Sequence, residues 1–149
     1  MPLKIVQFLA LTLTALALVP SGAHLFALPN KINLAAEQYF IVQNTYRGWS
    51  LFGIVLFGAL IANLALAVFL RGRGAPFVLA LFAFLCIALT LIVFFIWTYA
   101  ANQATNNWMM IPDNWEQLRR EWEYSHAANA VVTFAALCSL TLSVLTTRE

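Results

Sequence analysis

Charge is what this sequence has least of. Only 9% of its 149 residues are Asp, Glu, Lys or Arg, against 62% hydrophobic, and its mean hydropathy is +0.81. Soluble domains carry about 25% charged residues, so the composition excludes an ordinary soluble globule and leaves an integral membrane protein in contact with lipid. A net charge of +2 with no basic run leaves nothing to attract a nucleic acid. Cysteine is almost as scarce. Cys86 and Cys138 stand alone in apolar stretches, which excludes a disulfide framework and a CxxC zinc site. Internal repeats and low-complexity tracts are lacking too.

What the chain does have is four long apolar stretches, at 5–28, 49–70, 75–101 and 122–146. A helix needs about 20 residues to cross a bilayer, whereas a membrane strand needs about 10 with alternating polarity, which none of these shows. The fold expected is an all-α, four-helix membrane bundle formed by a single domain, 1–149. Lys4, an apolar run and Ser21-Gly22-Ala23 together resemble a signal peptide. The apolar character resumes through Leu28, however, making the stretch longer than a cleavable core of about 7–15 residues. It is read as a retained span.

Between the second and third spans stands only Arg71-Gly72-Arg73-Gly74, so short a link that it forces an antiparallel hairpin. The two long links, 29–48 and 102–121, then share the opposite side. Basic residues tie between the sides: Lys4, Arg71, Arg73 and Arg148 on one, Lys31, Arg47, Arg119 and Arg120 on the other. The compact Arg-x-Arg hairpin and basic N-terminus favour that side as cytoplasmic, in a plasma or inner membrane. In the first long link, Asn33 is positioned to cap a helix over 34–44 lying across the bundle mouth, with Gly48 bending the chain into the second span. The second long link is Asn-rich and broken by Pro112, hence mostly non-helical. Trp108, Met109, Met110 and Trp115 are expected to fold back onto the membrane surface.

The last helix begins in water. Asp113 and Glu116 have capping-box spacing, so the helix should start near 114 and reach the membrane at Trp122 and Tyr124. His126 lies just inside. His24 is roughly 20 residues past Lys4, about 30 Å along a helix, which gives it a similar depth. Intramembrane ionisable groups are costly and point to function. The commoner alternative for a lone histidine is an interfacial side chain bonded to a loop carbonyl. Helical spacing puts Arg119, Glu123, His126 and Thr133 on one face, with Trp122, Ser125 and Asn129 on the adjacent stripe. On this spacing Glu123 can orient His126. Glu123-x-x-His126 also has di-iron spacing, but no second pair exists to complete such a site. A haem or metal between His24 and His126 is the remaining cofactor alternative, without an attachment motif. Asn63, deep in the second span, reads as a helix-to-helix bond. Gly53, Gly58, Ala62 and Ala65 read as close-packing positions. Phe94 to Tyr99 reads as lipid-facing surface.

At NWEQLRREWEYSHAANAV the chain resembles the anthrone-oxygenase-like family of small four-span membrane proteins. Asn102 to Trp108, Pro112, Trp115, Arg119, Trp122, Glu123, His126 and His24-Leu-Phe-Ala-Leu-Pro29 carry the likeness, which covers most of the chain. The family name comes from members that oxidise anthrones with dioxygen and no cofactor. The resemblance thus implies a cofactor-independent oxidoreductase acting on an apolar aromatic small molecule. His126 would be the base, Glu123 its orienting partner, Arg119 the anion stabiliser and His24 a second polar contact. Trp122, Asn129, Trp115 and Asn102 would contact the substrate. Two other functions compete: an accessory or assembly subunit of a homo- or hetero-oligomeric membrane complex, and a redox carrier holding haem or quinone. A transporter is disfavoured, because no pair of broken helices is present.

Overall fold

The computed structural model describes residues 1–147, so Arg148, counted above with the short-link side, lies outside the described residues. Helix α1 spans Pro2–Lys31, and α2, Ala36–Gln43, lies in the first long link. Short 3₁₀ turns at Asn44–Tyr46 and Trp49–Leu51 lead into α3, Phe52–Phe69. Next come α4, Ala75–Val93, a π-helical segment, Phe94–Thr98, and α5, Tyr99–Ala104, one continuous helical span. Last is α6, Trp115–Thr146. Four helical units, Pro2–Lys31, Trp49–Phe69, Ala75–Ala104 and Trp115–Thr146, are long and apolar enough to cross a membrane, and no strand occurs among the described residues. The protein is an all-α membrane bundle with a tight hairpin at one end and two long links at the other.

Its packing is that of a protein dissolved in lipid. Small residues fill the seams: Ala10 and Ala17 of α1, Ala59 and Ala62 of α3, Ala80 and Ala83 of α4, Ala136 of α6. Large side chains such as Ile54, Ile61, Val131 and Leu145 are exposed on the outside. Lipid tails are as apolar as leucine, so nothing drives leucines inward; close backbone approach and buried polar bonds hold the helices together. Each of α1 and α4 packs on both α3 and α6, closing a ring. Antiparallel α4 and α6 are stitched by Ser143 Oγ to the Pro76 carbonyl (2.7 Å) and Ser139 Oγ to the Leu79 carbonyl (2.9 Å). Towards the other end, Asn129 Nδ2 donates to the Thr90 carbonyl (3.2 Å), and the Thr98 and Ser125 hydroxyls pair at 2.7 Å. Asn63 links α3 to α1, its Nδ2 donating to Thr14 Oγ1 at 2.9 Å. Leu13 of α1 packs over Gly58 of α3, its nearest methyl 3.4 Å from where a Cβ would stand.

Helix ends differ from the sequence expectations. Helix α2 begins at Ala36 rather than 34, and Asn33 does not cap it; Ala35 stays extended while the Leu34 carbonyl accepts from Arg119. Helix α6 begins at Trp115 with Asn114 as its N-terminal flank and no side-chain cap, so the Asp113 capping box does not form. Backbone bonds do that work instead: Trp115 N–H to the Pro112 carbonyl and Gln117 N–H to the Asn114 carbonyl. The first and third spans also run past their expected ends, to Lys31 and Ala104.

Replacing Asn63 with alanine removes the deepest polar bond between α1 and α3. Interhelical bonds in membranes average about 0.6 kcal/mol and reach about 1.7. Unfolding of the variant in a mixed-detergent titration is expected to show a loss in that range, and Thr14→Ala added to it should cost little more. Fully additive losses would mean that the two side chains are not coupled.

Candidate functional site

Both histidines come from helices that pack on each other, α1 and α6, and the depth read from the sequence is matched in space. Their ring centroids are 4.3 Å apart at 40°. Trp122, one helical turn before His126, packs against both: 4.3 Å from His126 and 4.6 Å from His24. Tyr46 closes on His24 at 4.2 Å, with Trp49 behind it at 5.8 Å. The site is an aromatic box around two imidazoles.

A buried ion pair sits next to it. Helix α1 runs two turns beyond His24 to Lys31, whose ammonium lies 2.9 Å from Glu123 Oε1 and 3.3 Å from His24 Nδ1. The lysine side chain is 4% exposed and the glutamate 0%. Lys31 also lies over the rings of Tyr46 (4.9 Å) and Trp122 (5.3 Å), favourable positions for a cation. Tyr39 of α2 donates its hydroxyl hydrogen to Glu123 Oε1 (2.9 Å), and Gln43, one turn further on, donates to the Tyr39 oxygen. Burial first, then the Glu123 charge and hydrogen bond, push the Tyr39 phenol well above its ordinary pKa, so it remains a donor. The chain of contacts runs Gln43, Tyr39, Glu123, Lys31, His24.

Two expected roles therefore move. Glu123 is engaged by Lys31 and Tyr39, and no hydrogen bond joins it to His126, whose ring has no hydrogen-bond partner among the described residues. Arg119 turns the other way. Its Nη1 donates to the Leu34 carbonyl at 2.6 Å, and its guanidinium stacks over Trp115 (4.5 Å) and Tyr39 (5.5 Å). Side chains on a helix lean toward its N-terminus, so residue 119 reaches α2 and the link rather than the histidines. The cation beside the imidazoles is Lys31.

These rings form one wall of a cavity of about 520 Å³, within the roughly 300–1,000 Å³ usual for small-molecule sites. His24, His126, Trp122, Asn129, Thr133 and Asn102 all line it. Arg119, Glu123 and Trp115 do not; Trp115 packs instead against Tyr39 and Phe40. Asn102 is committed structurally as well, its Oδ1 accepting from the indoles of Trp108 (3.0 Å) and Trp122 (2.9 Å). Trp108, expected on the membrane surface, is buried against Trp122, Tyr39 and Phe40. Its backbone, with Asn106 and Asn107, is left-handed, at φ 64°. A bulky residue seldom adopts this conformation, and the strain is held by Trp108 N–H to Thr105 Oγ1 and by the indole bond. Met109 and Met110 remain exposed.

The opposite wall is apolar. Phe52, Gly53, Leu56 and Phe57 of α3 face Leu91, Phe94 and Phe95 across it. Phe94, Phe95 and Thr98 belong to the π-helical segment, a widened turn common at functional sites, which carries Phe94 and Thr98 inward from a stretch expected to face only lipid. Phe57 and Phe95 line the cavity and are also 48% and 52% exposed, so these two side chains border both the cavity and the outer surface of the bundle. At the other mouth, Gly48 adopts φ +88° to turn the chain between Tyr46 and Trp49.

A haem carried between the histidines does not fit this arrangement. Rings with centroids 4.3 Å apart are in contact and leave no room for a macrocycle between them. No group of three or more His, Cys, Asp or Glu side chains converges among the described residues.

Sequence reasoning missed Lys31, Tyr39 and Tyr46. The one signal was spacing: His24 and Lys31 are seven apart, on one face of a helix if α1 continues through Pro29. No protein-family model matches the chain, and neither a curated protein nor a solved structure does.

Removing one partner of a buried ion pair strands the other charge, at a cost of roughly 3–5 kcal/mol. Lys31→Met is expected to lower unfolding stability by about that much. The double variant Lys31→Met/Glu123→Gln, which leaves a neutral acceptor for Tyr39, should recover most of it. Equal losses in the single and double variants would show that the pair is not the source.

Proposed function

We propose that this protein is a cofactor-independent oxygenase of the anthrone-oxygenase type, oxidising a flat, apolar aromatic carbon acid with dioxygen. The observation that carries this reading is the His126 imidazole, without a hydrogen-bond partner among the described residues, on the wall of an aromatic cavity also lined by Phe57 and Phe95, which are exposed on the outer surface. A neutral imidazole has one bare nitrogen, which can accept a proton from a substrate placed against it. A substrate dissolved in the bilayer would enter between Phe57 and Phe95 and lie against Trp122 and Phe94. Asn129 is a further polar contact on the same wall.

His126 then takes a proton from the ring carbon conjugated to the substrate ketone, and the electron pair spreads onto the ketone oxygen. His24, backed by the Lys31 ammonium, stabilises that oxygen, the role the sequence resemblance gave to Arg119. The carbanion carbon is oxidised by dioxygen, forming a carbon–oxygen bond and a peroxide. Loss of the carbon's second hydrogen with cleavage of the oxygen–oxygen bond releases water and leaves a new carbonyl. One dioxygen thus converts a CH₂ into C=O and one water. The Arg71-x-Arg73 hairpin and the basic N-terminus at Lys4 support a cytoplasmic side for the 71–74 hairpin and the termini, in a plasma or inner membrane.

Oxygen uptake by the purified protein with 1,8-dihydroxyanthrone tests the assignment. General-base catalysis contributes about 10²–10⁴-fold, so His126→Ala is expected to lower the protein-dependent rate by at least ~10²-fold. An unchanged rate would overturn the role of His126. Gly53 tests the cavity separately. Gly53 lines the cavity and a Cβ there meets nothing within 4 Å, so the side chain of Gly53→Phe is expected to take up cavity space. Loss of uptake with unchanged thermal stability is expected; unaffected uptake would place the substrate elsewhere.

A further inference from the structure

Two imidazoles in contact could exchange roles freely, because each neutral ring has one N–H and one bare nitrogen. Which nitrogen holds the hydrogen is decided by the partner of the other. Here the two rings have different surroundings. His24 Nδ1 is 3.3 Å from the Lys31 ammonium, a group that only donates. That ammonium is itself fixed: by Glu123 Oε1 at 2.9 Å, by the rings of Tyr46 and Trp122, and through Glu123 by the Tyr39 hydroxyl at 2.9 Å. His126 makes no such hydrogen-bond-range contact among the described residues; its ring packs against those of His24 and Trp122.

We infer that Lys31 is a positioning residue that holds His24 in the tautomer with hydrogen on Nε2, making His24 the donor and His126 the acceptor of an asymmetric pair. Such a pair suits a ligand group in which an acceptor oxygen lies in conjugation with an acidic hydrogen, as in an enolisable aryl ketone or a hydroxy-ketone. The assignment of that ligand class rests on the oxygenase reading above; the tautomer does not. The asymmetry divides the labour between chemically identical residues. The ring that Lys31 holds cannot accept a substrate proton at Nδ1 without giving up the lysine, whereas neither nitrogen of His126 has a hydrogen-bond partner among the described residues. The same contact explains why α1 ends with its lysine tucked inward instead of extended into water.

Nitrogen-15 spectra of histidine-labelled protein in detergent micelles, without substrate, test this directly, with His126→Gln used to assign the two rings. In the wild type, His24 is expected to show a bare Nδ1 and a hydrogen-bearing Nε2, with the wide separation of shifts typical of one fixed tautomer. Lys31→Arg keeps a donor at that place and should preserve the pattern. Lys31→Met should draw the two His24 shifts together as the ring exchanges tautomers. A hydrogen on Nδ1 in the wild type, or a spectrum unmoved by Lys31→Met, would overturn the inference. Should Lys31→Met fail to fold, the wild-type spectrum alone decides. The expected spectrum in a protein that takes up no oxygen with the anthrone would retain the role of Lys31 and remove the oxygenase; uptake with the opposite tautomer would do the reverse.

Discussion

The structure depends on a pair of opposite charges placed where water does not reach them. Lys31 and Glu123, at the same end of two neighbouring helices, meet at 2.9 Å with almost no exposure. Burying one such charge alone costs several kcal/mol, so each makes the other tolerable. The pair also needs satisfying neighbours, and it recruits them from separate parts of the chain: Tyr39 from α2, His24 from α1, and the faces of Tyr46 and Trp122. The first long link is thereby pinned over the bundle mouth. One Glu123 oxygen, Oε2, makes no hydrogen bond, so electrostatic attraction and not a complete hydrogen-bond set holds the carboxylate.

Around this pair, small irregularities in otherwise regular helices produce the hollow. The π-helical turn at Phe94–Thr98 widens the third span just where the cavity lies, and brings Thr98 to Ser125. Gly53 contributes no side chain to the facing wall. Trp108, held in a left-handed conformation, covers the inner aromatic layer, and Asn102 ties it to Trp122 through one shared oxygen. None of these features is needed to cross a membrane. All of them shape the space beside the histidines.

The interior polarity follows the same logic on a larger scale. Thr14 with Asn63, Ser125 with Thr98, Asn129 with Thr90, Ser139 with Leu79 and Ser143 with Pro76 are bonds between helices that lipid cannot replace. In hydrocarbon an unsatisfied polar group is expensive, so these bonds select neighbours and register where leucine and phenylalanine cannot.

The spans, the hairpin and the shared depth of the two histidines could be read from the sequence, because bilayer thickness and helical rise convert residue counts into distances. The pairing of Lys31 with Glu123 could not. Hydropathy ends at Leu28, so Lys31 reads as a loop charge, and its partner lies on another helix that no periodicity within α1 reports. The same limit misplaced Arg119: spacing put it on the His126 face, but the position of α2 drew it to the Leu34 carbonyl. The π turn at Phe94–Thr98 likewise had no signal in the sequence, where this stretch reads as lipid-facing surface. Composition determined that this chain lives in lipid and how often it crosses; only packing, which chooses partners among residues far apart in sequence, decided which charges and rings face the cavity.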